Sequence, residues 1–223
     1  MHVKRVSCPR IYLATSNPGK VRDFQGAADG MGIEVQVLPG FQTLPPAVED
    51  GATFEENARI KAEHYSRLAP GTLVVADDSG LAVDALNGAP GVYSARYAAV
   101  VHGDAESHSN CNSDDEHNNQ TLIAQLEQLP PASRSGKFVC VIAVAKDSHT
   151  LQTFQDEVRG ELLTAPRGHY GFGYDPLFYF PQLGKTFAEI PPEEKALYSH
   201  RGKAFRKFLD WSRKAVVKPL CAR

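Results

Sequence analysis

The sequence predicts an α/β protein, and three stretches carry that prediction. Residues 10–38 run in the order strand, turn, helix, strand. Residues 73–76 form a short apolar run placed after a helix with its own start signal. Residues 138–145 and 151–158 form two strand patterns around the turn Lys146-Asp147-Ser148-His149. Patterns that switch in this way between periods of two and of 3.6 residues build a sheet covered by helices.

Each element follows in order. Residues 10–14 are apolar enough for a buried strand. Residues 20–31 place Val21, Phe24, Ala28 and Met31 on one helical face. Residues 33–38 alternate as a second strand, and residues 39–46, bounded by prolines, form a loop. Thr53 followed by Glu56 is a capping-box pattern, so a helix starts there and runs to about Leu68, where Pro70-Gly71 ends it. The apolar strand 73–76 leads into Asp77-Asp78-Ser79-Gly80. Gly88-Ala89-Pro90-Gly91 marks a turn. Residues 102–120 are polar and nearly free of large apolar side chains, which predicts a flexible loop. Helical periodicity resumes over 121–129 and Pro130-Pro131 breaks it. From Glu193 onward the pattern is helical. No internal repeat or linker divides the chain, so residues 1–223 are expected to form one domain.

Composition narrows the function. Of the 223 residues, 42% are hydrophobic, enough for a sizeable core. Basic residues number 24 against 26 acidic ones, so no basic excess points to a nucleic-acid polymer. Any phosphate site must be local. Cys8, Cys111, Cys140 and Cys221 form no C-x-x-C pair and read as free thiols in a reducing compartment. No apolar run approaches membrane-spanning length, and MHVKRVSCPR has no apolar segment behind its basic residues. The expectation is a soluble cytoplasmic protein without a membrane partner.

Several stretches carry candidate chemistry. Thr15-Ser16-Asn17-Pro18-Gly19-Lys20 has the look of a phosphate-holding turn, but it is not a Walker A loop. Ala14 stands where that motif needs glycine, and Val21 where it needs Ser or Thr. Asp77 and Asp78 are adjacent on an extended chain and so point to opposite faces. One of them is a candidate to hold Mg²⁺ or polarise water, and the other to anchor backbone; the plain alternative is an Asp turn after a strand. Glu49 or Asp50 is a candidate second carboxylate. Asn57 and Lys61, four apart on one helix, offer a donor and a cation. Gly171-Phe172-Gly173-Tyr174-Asp175-Pro176 offers close backbone approach, an aromatic ring and an acceptor. His200-Arg201, with Lys195 four residues before Ser199, offers donors to a carbonyl oxygen. His102, His108, Cys111 and His117 match no common zinc spacing.

Together, and in this order, these stretches resemble the inosine triphosphate pyrophosphatase family, also called Ham1-like. The resemblance is carried by LATSNPGK (13–20), EDGATFEENARIKA (49–62), ADDSGLAVDALNGAPGVYSARY (76–97), GFGYDP (171–176) and EEKALYSHRGKA (193–204). It implies hydrolysis of ITP, dITP and XTP to the monophosphate and pyrophosphate, with Mg²⁺. It also implies a homodimer, and a long twisted mixed sheet flanked by helices, with two lobes around a central substrate cleft.

Carried over by residue, the resemblance makes Thr15 to Lys20 (Thr15, Ser16, Asn17, Pro18, Gly19, Lys20) the triphosphate turn. Asn17 and Lys20 supply its side-chain contacts, and amides of the helix N-terminus fill in. It makes Asp78 the general base and, with Glu49, a holder of Mg²⁺, and it makes Ser79 a substrate contact. Phe172, Gly173, Tyr174 and Asp175 become the base-binding segment, and Lys195, His200 and Arg201 the readers of the keto edge. Where the family's turn often has Gly and a small residue, this chain has Ser16 and Pro18, and Pro18 removes one N–H donor. The polar loop at 102–120 is longer than the family usually has. Two other readings stand beside this one: a Maf-like hydrolase of pyrimidine or modified nucleotides, and a nucleotide-binding protein without catalysis. GFGYDP and the Ser-His-Arg segment speak against the first, and Asp78, Glu49 and Lys20 against the second.

Overall fold

The computed structural model describes residues 10–29, 31–103 and 114–216. One seven-stranded sheet organises them, in the order β2-β1-β3-β4-β5-β6-β7. β1 (Arg10–Leu13) lies parallel to β2 (Glu34–Val37) and to β3 (Val74–Val83). β4 (Ser135–Lys146), β5 (His149–Leu162), β6 (Phe178–Phe180) and β7 (Lys185–Thr186) are each antiparallel to the strand before them. The sheet is therefore mixed, as expected. The turn between β4 and β5 has Asp147 at φ 49° and Ser148 at φ 68°, the doubly positive pair that closes a two-residue hairpin.

Helices cover both faces. α1 (Pro18–Ala28) and α6 (His200–Val216) pack Phe24, Phe205 and Phe208 against Leu13, Val75 and Ile142. On the opposite face α2 (Phe54–Leu68) buries Ala58, Ala62 and Tyr65 against Val74, Ala76 and Val141. A third cluster, around Leu81, Phe138, Phe178 and Phe187, fills the far end of the sheet. The start of α2 is where the sequence placed it. Thr53 Oγ1 accepts the Glu56 N–H at 3.2 Å, and Glu56 Oε2 accepts the Thr53 N–H at 3.0 Å. An N-cap of this kind stabilises by roughly 1 kcal/mol.

Three expectations are corrected. α1 ends at Ala28, because Asp29 leaves the helical conformation with ψ 139°, and Met31 lies 37% exposed rather than on the buried face. The strand expected over 73–76 runs on to Val83, carrying Asp77 and Asp78 in its middle. β4 pairs with it through Asp77↔Ile142 and Asp78↔Val141, so the backbone here is held in the ladder on the β4 side. The loop expected over 102–120 is helical from Asp115. α3 (Tyr97–His102) leads up to it, and α4 (Asp115–Leu126) starts behind the N-cap Asp114. α4 was hidden because its inward side is partly polar: buried Asn118 accepts the Ala98 N–H at 2.9 Å and donates to the Ala95 carbonyl at 3.3 Å. Residues 104–113, with His108 and Cys111, lie outside the described residues, as do Cys8 and Cys221. Cys140 is a buried free thiol. Among the described residues no helix is long and apolar enough to cross a membrane.

Candidate active site

β1 pairs with β3 only at Val74 and Val75. Beyond that point Asp77 to Gly80 face no strand on that side, and a cleft of about 670 Å³ opens over this edge. Alternation sends the two aspartates to different neighbours, as expected. The strand end that α/β folds use for ligands is here the end of β1, beside the middle of β3.

Asp77 faces α1 and α6. Its Oδ2 lies 3.0 Å from Lys20 Nζ, accepts the Ser79 hydroxyl at 2.9 Å and stands 3.8 Å from Arg201 Nε. Burial would push its carboxyl up, but Lys20, Arg201 and Lys61 together outweigh burial and hold it below the usual range. Asp77 is the structural anion of the site. Arg201 continues the network, donating to Ser79 Oγ at 2.8 Å and to Asp23 Oδ2 at 3.0 Å. Asp23 Oδ1 in turn lies 3.8 Å from Lys195 Nζ. Asp23 was not singled out in the sequence. Its only signal there is a position one helical turn after Lys20.

Asp78 faces α2. Lys61 Nζ sits 2.9 Å from Asp78 Oδ1 and 2.8 Å from Glu49 Oε2. Burial raises the Asp78 carboxyl despite Lys61 and Lys20, while Asp78, Glu49 and Asp77 overcome burial to raise Lys61. Asp78 Oδ2 is buried and has no hydrogen-bond partner. An unpaired buried carboxylate oxygen costs free energy unless a cation or a water proton meets it. Asn57, an expected donor to substrate, is buried outside the cleft lining, and its Oδ1 accepts the Gly51 N–H at 2.9 Å, which steadies the Glu49 loop.

In the turn at 15–20, Asn17 Oδ1 caps α1 by accepting the amides of Gly19 at 2.8 Å and Lys20 at 3.2 Å. Pro18 occupies the first helical turn, where its missing N–H costs nothing. Thr15, Ser16, Asn17 and Lys20 line the cleft, whereas Pro18 and Gly19 do not. Gly19 is required by contact: a Cβ there would come within 2.4 Å of the Phe172 ring.

Phe172, Gly173, Tyr174 and Asp175 all line the cleft. The turn closes on Asp175, whose Oδ2 accepts the Phe172 N–H at 3.0 Å and Lys195 Nζ at 2.5 Å. Gly171 takes φ 77°, and a Cβ on it would strike that same oxygen at 2.0 Å. The Phe172 ring carries the Arg201 guanidinium at 4.8 Å and Lys195 Nζ at 5.5 Å. His200 and Lys195 are buried just behind the cleft, and Arg201 lines it. His200 stacks on Phe138 at 4.7 Å, and neither ring nitrogen has a partner. Burial, reinforced by Arg201, Lys195, Lys20 and Lys203, holds its pKa well below 6.5. It is a neutral imidazole with one free N–H to offer.

The model of the Ham1 family matches residues 11–211. The chain belongs to the Ham1 family. Among related proteins, a dITP/XTP pyrophosphatase of Acidobacterium capsulatum is 49% identical over 200 residues, covering 89% of this chain and 96% of the relative. One from Thermus thermophilus is 44% identical, over 90% of each chain. Among solved structures, the Staphylococcus aureus Ham1 protein aligns with a TM-score of 0.74 at 37% identity, over 92% of this chain and 99% of the other. A Coxiella burnetii HAM1 protein aligns at 0.75, also at 37%, over 92% and 99%. The Ham1 match spans β1 to α6, so it includes every element that lines the cleft.

Proposed function

We propose that this protein hydrolyses non-standard purine nucleoside triphosphates (ITP, dITP and XTP) to the monophosphate and pyrophosphate. The observation that carries the reading is Asp78 Oδ2, a buried carboxylate oxygen without a partner inside a cleft with Lys20, Lys61 and Arg201. Relatives named dITP/XTP pyrophosphatase at 43% to 49% identity support the same substrate class.

The cleft fits a divalent cation. Its lining carries four cations, Lys20, Lys61, Arg96 and Arg201, against five carboxylates, Glu49, Asp77, Asp78, Asp115 and Asp175. A polyanionic triphosphate entering this balance needs added positive charge. Among the described residues no group of three or more potential ligands converges. That suits Mg²⁺, which takes one or two protein carboxylates and leaves its other positions to water and phosphate. Glu49 and Asp78 would hold it, directly or through water. When bound, Mg²⁺ supplies charge neutralisation on the phosphate oxygens.

The chain's own residues do the rest. Asp78 Oδ2 accepts a proton from the attacking water, while Lys61 holds Oδ1 and fixes the carboxylate plane. Water attacks the α-phosphorus and pyrophosphate departs toward Lys20, a cation held in place by Asp77. Thr15, Ser16 and Asn17 border the phosphates, and Ser79 presents its hydroxyl, oriented by Asp77 and Arg201. Phe172 gives the base a stacking face, with Gly173, Tyr174 and Asp175 shaping that end of the cleft. Lys195, His200 and Arg201 present donors to the 6-oxo group, and adenine, with an amino group there, leaves them unpaired. The reading includes a homodimer in the cytoplasm, as the family resemblance implies.

The test is a product assay with Mg²⁺ on ITP, XTP, GTP, ATP, UTP and dTTP. Pyrophosphate from ITP and XTP, with little from ATP or GTP, is expected. Orthophosphate would place cleavage at the γ-position and overturn the reading, and turnover confined to UTP or dTTP would move the protein to the pyrimidine class.

A further inference from the structure

Four cations line the cleft, and three of them are already spoken for. Lys20 pairs with Asp77, Lys61 with Glu49 and Asp78, and Arg201 with Asp23. Arg96 is the exception: among the described residues it makes no ion pair and no hydrogen bond through its side chain. Its guanidinium lies 5.5 Å over the Tyr93 ring. A guanidinium whose N–H groups have no protein partner keeps them available, in the fork geometry that matches phosphate oxygens.

The backbone that carries Arg96 is pinned on both sides. Ser94 Oγ donates to the Gly91 carbonyl at 2.6 Å and accepts the Leu81 N–H at 3.0 Å. The Ser94 carbonyl accepts the Tyr174 hydroxyl at 2.9 Å. A Cβ on Gly80 would come within 2.2 Å of Ser94 Oγ, so this segment rests directly on β3, next to Ser79 and Asp78. On the other side Asn118 holds Ala95 and Ala98. A half-buried, unpaired cation on a fixed segment of the cleft wall is set to receive an anion with little ordering cost.

We infer that Arg96 is a substrate-binding residue that grips the phosphate chain of the nucleotide. The inference rests on the triphosphate reading of the cleft. It adds the one lining cation whose charge is not already offset by a carboxylate, and hence the one whose full charge is available to the departing pyrophosphate.

The experiment is calorimetric titration of wild type, Arg96→Gln and Arg96→Lys with inorganic pyrophosphate and, separately, with inosine monophosphate, both with Mg²⁺. Melting temperatures are read alongside. Arg96→Gln is expected to weaken pyrophosphate binding about tenfold or more while monophosphate binding changes less than about twofold. Arg96→Lys, which keeps charge but loses the fork, falls between. The salt dependence of pyrophosphate binding becomes shallower in Arg96→Gln, as one fewer cation meets phosphate. Unchanged pyrophosphate binding in Arg96→Gln would overturn the inference, and so would an equal loss for both ligands, which would mark a structural role. Should Arg96→Gln fail to fold, Arg96→Lys carries the test, and wild-type pyrophosphate affinity in that variant would overturn it. Turnover of ITP by wild type reports separately on the proposed reaction, so a failure of one is not read as a failure of the other.

Discussion

Lys61 Nζ stands between two carboxylates, one from a loop and one from β3, 2.8 Å from Glu49 Oε2 and 2.9 Å from Asp78 Oδ1. The ammonium keeps two acidic groups together in a place where their mutual repulsion would otherwise drive them apart. Lys61→Met removes that cation. Without metal, the variant should lose about 3 kcal/mol, the scale for breaking a largely buried pair. Added Mg²⁺ should then recover more stability in Lys61→Met than in wild type. Urea unfolding in chelator and in Mg²⁺ measures both.

The two adjacent aspartates separate by function. Asp78→Asn should cut turnover by about 10²- to 10⁴-fold, the range for a positioned general base, and leave ITP binding within a few fold. Asp77→Asn unpairs Lys20 and loosens Ser79 and Arg201, so it should raise KM and lower the melting temperature together. Near-normal turnover in Asp78→Asn would remove Asp78 as the base. Steady-state kinetics with equilibrium binding of ITP decides it.

These residues also show what the sequence discloses and what it withholds. Alternation along β3 foretells that Asp77 and Asp78 part company, because side-chain direction is local. That β3 continues through them is not local: it depends on β4 for the backbone and on Lys20, Lys61 and Arg201 for the charges, from positions distant in the chain. The start of α2 was legible because a capping box lies within four residues. α4 was not, because its buried Asn118 bonds to backbone near α3 and breaks the apolar period. Asn57 offers a polar group on the same helix as Lys61, yet only the folded loop turns it to Gly51. Asp23 joins the site only through its ion pairs with Arg201 and Lys195, and Arg96 reaches the cleft only once its segment packs on β3.

His200 gives a pH signature. Its folded pKa lies well below the ordinary 6.5 because of burial and the cations around it. Between those two values the unfolded chain binds a proton that the folded protein does not. Stability from this group is present above pH ~6.5 and is lost as pH falls, by at most about 1.4 kcal/mol per pH unit. His200→Phe, which keeps the stack on Phe138, should flatten the acid side of the stability profile by that amount. Denaturant unfolding at pH 7.5 and pH 5.5 in both proteins measures the difference.

Two glycines should resist substitution for different reasons. A Cβ on Gly202 would lie 1.9 Å from the Ala196 carbonyl oxygen, so Gly202→Ala must open the corner between α5 (Pro192–Tyr198) and α6. It should cost about 1–3 kcal/mol, by overpacking. Gly19→Ala meets a ring rather than backbone and should displace Phe172, raising KM for ITP more than it lowers the melting temperature. Thermal unfolding and KM on the two variants separate the cases.

The proposed chemistry turns on one event: water, deprotonated by Asp78, attacks the α-phosphorus. Hydrolysis of ITP in ¹⁸O-water, with mass spectrometry of both products, follows that oxygen to its destination. One ¹⁸O in inosine monophosphate and none in pyrophosphate is the expected result. Label in pyrophosphate would place the attack at the β-phosphorus and contradict the role of Asp78 beside the α-phosphorus.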